Sequence, residues 1–143
     1  MMALVRRVHV YETDLMGIVH HSNYVRYCEE ARVNWFVQNN ILDTSNEAVF
    51  SLTVIDLKLK YVKSLKYGDQ FTIHMQMKID GARLFIQYKM FDQQNNLCLL
   101  GETVHCSLDQ KLRPRRLNET LKENILNIHK INNKEMAWTE TWL

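Results

Sequence analysis

The hydrophobic period changes once along this chain, and that change restricts the folds open to it more than any other feature. From Phe71 to Ile79 every second residue is apolar: Phe71, Ile73, Met75, Met77 and Ile79 stand against Thr72, His74, Gln76 and Lys78. Ile55, Leu57, Leu59 and Tyr61 repeat the pattern against Asp56, Lys58 and Lys60. Such alternation gives a strand one buried face and one wet face. Upstream the period is helical. Tyr24, Tyr27, Cys28, Ala31 and Trp35 recur every three or four residues and share one stripe. Ser22 reads as an N-cap and Asn39-Asn40 as a stop. The spacing therefore predicts a helix over 22–39, about 27 Å long.

The remaining elements follow from turn chemistry. Val5 to Tyr11 reads as extended, and Thr13 to His20 carries turn-type residues around Gly17. Tyr67-Gly68-Asp69, Asp80-Gly81 and the run Asp92 to Asn96 separate the later strands. Leu84 to Phe91 and Leu97 to Leu108 are apolar on both faces, as in central strands or strands covered by another subunit. Pro114 is expected to end the sheet. Asn118 to Lys130 reads as a short helix with Leu121, Ile125 and Ile128 inward; the tail with Trp138 and Trp142 has no firm reading. The order is strand, long helix, four antiparallel strands, short helix. A sheet with one apolar face must cover it, and only the 22–39 helix is long enough. The expected class is α+β, one antiparallel sheet wrapped around a long central helix.

Length and composition narrow the function classes. The 143 residues allow one core and are short for two. We expect one domain over 1–143, with a core at about 5–117 and a C-terminal helix and tail over 118–143. A net charge of +2 offers no electrostatic case for nucleic acid. Apolar runs such as Leu97 to Leu100 fall far below the ~18 residues of a membrane span. Arg6 and Arg7 lead into an alternating segment rather than a signal-peptide block. Cys28, Cys98 and Cys106 have no metal-type spacing, which favours reduced thiols and a cytoplasmic location.

Reactive residue types concentrate just before the long helix: Tyr11, Glu12, Thr13, Asp14, Gly17, His20, His21, Ser22, Asn23 and Tyr24. Asp14 puts a carboxylate in a loop, and Gly17 permits a tight turn or a close approach. The helix start supplies unpaired N–H groups from about His21 to Tyr24. A carboxylate beside such donors can attack, or activate water to attack, a carbonyl whose oxygen they hold. One positioned donor is typically worth about 2.7–4 kcal/mol of transition-state stabilisation. The same aspartate equally suits a turn or cap. His20 and His21 with Asp14 raise the possibility of a metal, but adjacent histidines rarely converge on one ion and no third ligand is in view, so we expect none. Cys28 on an apolar stripe reads as a buried, inert thiol. Glu29, flanked by Arg26 and Arg32, reads as a helix-surface ion pair rather than a helix-borne acid. Arg113, Arg115 and Arg116 read as a solvated basic run.

The string YETDLMGIVHHSNYVRYCEEAR, Tyr11 to Arg32, resembles the signature of the 4-hydroxybenzoyl-CoA thioesterase-like branch of the hotdog fold. Within that branch it is most similar to small acyl-CoA thioesterases associated with the Tol-Pal gene cluster. Glu12-Thr13-Asp14, Gly17, Ile18-Val19, His20-His21, Ser22, Asn23-Tyr24 and Glu29-x-Ala31-Arg32 carry the likeness. It continues through Tyr61, YGDQF from Tyr67, GETVHCSLD from Gly101 and LRPRRL from Leu112. The resemblance implies a hotdog fold and hydrolysis of acyl-CoA to a free acid and CoA, with no cofactor. It implies Asp14 as nucleophile or general base, Gly17 as the residue shaping the loop, and His21 as backbone donor and side-chain helper. It puts substrate contacts at Tyr24, Ser64 and Arg83, the last near the CoA phosphates. Because the two central strands are apolar on both faces, a monomer would leave the second face bare, so we expect a homodimer joined edge to edge, or a homotetramer of two stacked dimers; an acyl carrier protein in place of CoA stays open. Two positions depart from the pattern. Val10 stands where relatives have an aromatic, with Tyr11 one place later, and Lys63-Ser64 replaces a Pro-Ala pair. A hotdog hydratase or dehydratase and a non-catalytic acyl-CoA-binding module are the competing functions.

Overall fold

The computed structural model describes residues 2–41 and 52–132. Along the chain these form β1 (Met2–Arg7), α1 (His21–Gln38), β2 (Leu52–Tyr61), β3 (Gln70–Asp80), β4 (Arg83–Asp92), β5 (Leu97–Leu108), β6 (Pro114–Arg115) and α2 (Glu119–Asn132). The strands make one antiparallel sheet in the order β1-β3-β4-β5-β2, with β6 added to β5. Register decides which alternating residues share a face. Met75 pairs with Tyr88, Tyr88 with Gly101, and Gly101 with Leu59. The odd positions of β3 thus join the even positions of β4 on one side, and Phe71, Ile73, Met75, Ile86, Tyr88 and Met90 are fully buried there. The α1 stripe of Tyr24, Tyr27, Cys28, Ala31 and Trp35 is buried with them. Each large apolar side chain removed from water in this way contributes about 1.5–3 kcal/mol. Gly101 leaves room in this layer: a Cβ there would meet Leu59 Cδ2 at 2.9 Å.

Three local expectations change. β1 stops at Arg7 rather than running to Tyr11, because the backbone turns into a 3-10 segment over Val10–Glu12. The Glu12 side chain closes that turn by accepting the His9 N–H at 2.8 Å. Pro114 does not end the sheet; Pro114 and Arg115 pair with Leu108 and Ser107. A proline can do this because β6 is a short edge strand. Nor is the second face of the sheet bare within one chain. Gln76 and Gln87 lie on it at 1% exposure each, with buried Leu100, Val104 and Cys106 on the same face. There the Gln76 amide donates to Gln87 Oε1 at 2.5 Å and the Gln87 amide to Glu102 Oε2 at 3.1 Å, a polar row across three strands. As the spacing predicts, α2 is helical and turns Leu121 and Ile125 inward, where they are buried as it packs against β3. Asn118 caps it, accepting from Thr120 N–H at 2.9 Å and Leu121 N–H at 3.2 Å. The tail with Trp138 and Trp142 lies outside the described residues. Among the described residues no helix is long and apolar enough to cross a membrane.

Candidate active site

The Asp14–Gly17 segment is a closed turn. Thr13 pairs with Val19 across its base. Asp14 N–H donates to Ile18 O at 2.8 Å, and Gly17 N–H donates to Asp14 O at 3.0 Å. Met16 N–H donates to Asp14 Oδ1 at 2.8 Å. Gly17 has φ +78°, a left-handed conformation that disfavours side chains, although a Cβ there would meet nothing within 4 Å. Glycine is therefore required by the backbone angle and not by lack of space. The second carboxylate oxygen of Asp14 has no hydrogen-bond partner among the described residues, and the side chain is half-buried.

Glu12 binds this turn to the helix. Its backbone carbonyl accepts from His20 N–H at 2.9 Å and from the Asn23 side-chain amide at 2.8 Å. Its carboxylate, 6% exposed, pairs with Arg6 at 2.9 Å, and Arg6 reaches on to Glu30 at 2.7 Å. Strand, turn and helix are joined through these two side chains. The sequence pattern carried no sign of Arg6 in this role, because an arginine near a chain start looks solvated.

The helix begins one residue earlier than its residue pattern predicts. His20, not Ser22, is the cap, with extended backbone (φ −62°, ψ 136°). Its Nδ1 accepts from Ser22 N–H at 3.2 Å and sits 2.8 Å from Ser22 Oγ. Asn23 N–H donates to His20 O at 2.9 Å. The expected bundle of outward donors shrinks to one: His21 N–H has no partner among the described residues. The His21 carbonyl accepts from Tyr61 OH at 3.1 Å, and its ring packs on His20 with centroids 4.2 Å apart. Among the described residues no group of three or more His, Cys, Asp or Glu side chains could hold a metal ion.

Tyr24 is 4% exposed, and its hydroxyl accepts from Leu65 N–H at 3.3 Å. Leu65 O in turn accepts from Val19 N–H at 2.8 Å. Exposed Ser64, one residue before, therefore stands beside the helix start. Lys63 Nζ pairs with Asp92 Oδ2 at 2.5 Å; that bond raises the lysine pKa and holds the Asp92 carboxyl well below the usual range. Asp14, Gly17, His21, Tyr24 and Ser64 thus gather at one end of the molecule. Arg83 does not join them. It is exposed in the β3–β4 hairpin, at the far end of an 11-residue strand. At ~3.3 Å per residue that is about 33 Å away.

The other candidates settle into structural roles. Burial pushes the Cys28 thiol up to about 12 and the Cys98 thiol to about 11. Glu29 lies on the solvent side of α1, in an open depression of about 400 Å³ with Arg26, Glu30, Val33, Asn34 and Val37. The expected pairing of Glu29 with Arg26 and Arg32 is absent among the described residues. Arg32 instead turns inward and donates to Tyr88 OH at 3.1 Å. Tyr88 OH meets Thr103 Oγ1 at 2.9 Å, and Thr103 Oγ1 meets His105 Nε2 at 2.9 Å. Burial, helped by the Arg32 charge, lowers the His105 pKa to about 3. Tyr11 is exposed and stacks on His9 at 5.1 Å.

Residues 8–127 match the model of the thioesterase-like superfamily. The chain belongs to that superfamily. It is a thioester hydrolase with the hotdog fold. It is 44% identical over 123 residues to a putative esterase of Aquifex aeolicus, covering 82% of this chain and 95% of that protein. It is 35% identical over 110 residues to the acyl-CoA thioesterase YbgC of Helicobacter pylori, covering 77% of this chain and 71% of that protein. Among solved structures it is similar to the DHNA-CoA thioesterase of Staphylococcus aureus, with TM-score 0.80 and 22% identity over 94% of this chain and 95% of that one.

Proposed function

We propose that the chain hydrolyses acyl-CoA to a free carboxylic acid and CoA, with Asp14 as the reacting carboxylate and His21 N–H as the oxyanion donor. The observation that carries this reading is one unpartnered Asp14 oxygen on a closed turn that Glu12 ties to an unpartnered helix N–H. The kinship with an acyl-CoA thioesterase of 35% identity supports the substrate class. Gly17 shapes the turn. Tyr24 serves by locking Leu65 to α1, which leaves Ser64 facing the substrate. We place the enzyme in the cytoplasm, where CoA esters are available and buried thiols stay reduced.

In the direct route the Asp14 carboxylate attacks the thioester carbon, the C–S bond breaks, and CoA leaves as a thiolate that takes a proton from water. Water then cleaves the mixed anhydride. In the alternative, Asp14 removes a proton from the attacking water. Turnover in ¹⁸O water followed by mass analysis of the Asp14 peptide tests the direct route: label in the carboxylate requires an anhydride cleaved at the Asp14 carbonyl, whereas water activation, like cleavage at the acyl carbon, leaves the carboxylate unlabelled. Hydrolysis of saturated acyl-CoA, seen as release of the CoA thiol, tests the function itself. Turnover confined to enoyl-CoA would favour a hydratase, and tight binding without thiol release would favour a binding module.

Arg83 bears on assembly. β2 is an edge of the sheet, and Val54, Ile55, Leu57 and Tyr61 on it are 41–51% exposed. An open apolar edge invites a second strand. We place a second copy of the chain there, antiparallel, which turns its β3–β4 hairpin toward this protomer's Asp14 end. Arg83 would then serve the CoA phosphates of the neighbouring site. A monomer in sedimentation would overturn the arrangement.

A further inference from the structure

The acyl group must lie somewhere beyond the reacting carbonyl, and the exposed Leu57 and Tyr61 of β2 mark one course along α1. His21, Val25, Cys28 and Arg32 stand at i, i+4, i+7 and i+11, along one line of α1. The β2 side of that line is open. Leu57 and Tyr61 share the sheet face that α1 covers, yet they are 41% and 51% exposed, whereas their counterparts on β3 and β4 are fully buried. Tyr61 marks the near end, through its bond to the His21 carbonyl.

Arg32 closes the far end. It is half-buried and donates to one neutral acceptor, Tyr88 OH. It has no carboxylate partner among the described residues. Behind that hydroxyl lie Thr103 and His105, both buried and both neutral acceptors or donors. With one bond to a neutral hydroxyl, the inward-turned guanidinium keeps unused donors, and its planar fork matches a carboxylate in two-point fashion. Eleven helical residues span ~16 Å, and a helical side chain leans back toward the N-terminus, so the guanidinium sits about 10 Å from His21. With the contact distance allowed for, that accommodates an acyl chain of about six carbons ending in a carboxylate.

We propose that Arg32 is a specificity-determining residue and that the preferred acyl group carries an anion at its far end. This rests on Asp14 being the reactive end of the site. The test compares kcat/KM for adipoyl-CoA against hexanoyl-CoA, and suberoyl-CoA against octanoyl-CoA, each pair equal in length. The wild-type enzyme is expected to favour the carboxylate-ended member of at least one pair by ~10-fold or more. Arg32→Gln is expected to bring that ratio to about one, and Arg32→Lys to retain part of it. A wild-type ratio at or below one in both pairs overturns the proposal, and so does an unchanged ratio in Arg32→Gln. Should Arg32→Gln fail to fold, the wild-type ratio and Arg32→Lys still decide. Turnover without preference removes this inference alone; no Asp14-dependent turnover of any of the four esters removes the thioesterase reading with it.

Discussion

Asp14 and Asp92 both head tight turns, and both cap a backbone N–H two residues on. They differ in what is left over. Asp92 Oδ1 accepts from Gln94 N–H, Asn96 N–H and the Asn96 amide, while Oδ2 takes Lys63 and the same amide. Every lone pair is engaged, and the carboxyl is only 8% exposed. Such a group is held as an anion and has nothing free to offer a substrate. Asp14 has one side-chain bond on one oxygen and, among the described residues, no cation paired with it, and a helix start is tied to the same turn. The residue type and the turn are shared; a free oxygen together with the tie to the helix start separates Asp14 from a purely structural carboxylate.

The comparison breaks most readily at Asp14. Asp14→Asn should lose at least ~100-fold in kcat, about 2.7 kcal/mol, while the thermal midpoint stays near wild type. A large drop in midpoint with near-normal turnover would show that the two aspartates do the same job. The next effect comes from His105 and sets the acid background. Its folded pKa of about 3 lies below the ordinary value near 6.5, so the unfolded chain binds the extra proton between them. Stability should therefore be full above pH 6.5 and fall as pH drops, by about 2 kcal/mol at pH 5, as urea unfolding at several pH values would show. His105→Gln should flatten that slope.

Gly17→Ala comes third. The left-handed backbone at Gly17 should cost it about 1 kcal/mol, with activity falling alongside as the Asp14 turn loosens. Retained activity would mean that the turn's shape matters less than its carboxylate. Asp92→Asn should have the smallest effect on turnover. Because Lys63 and the 92–96 turn depress the folded pKa of Asp92, its contribution is complete above pH ~4 and is lost as pH falls below that. The midpoint difference between Asp92→Asn and wild type should thus shrink below pH 4, a window distinct from that of His105, and kcat should change little.

Much of the architecture was legible in the chain. The two-residue alternation of Phe71 to Ile79 and the three-and-four spacing of Tyr24 to Trp35 are local consequences of strand and helix geometry, and both appear as written. The turns at Gly68 and Gly81 were legible for the same reason, since their positive φ demands a residue without a side chain. What was not legible depends on partners distant in sequence. His20 replaces Ser22 as the cap because the Glu12 carbonyl holds its N–H. Arg32 was read as half of a surface ion pair because Glu29 is three residues away, whereas Tyr88, 56 residues on, takes it inward.

By itself the sequence determined the elements, the packed faces and the loop in which Asp14 stands, because periodicity and turn chemistry act over a few residues. Only the tertiary structure decided that Asp14, unlike Asp92, keeps a free oxygen on the turn tied to the helix start, which N–H there stays unpaired, and that Arg83 lies a strand's length from both. Those are properties of what surrounds a group after the chain has closed on itself, and hydrogen-bond partners brought together by folding leave no period in the sequence.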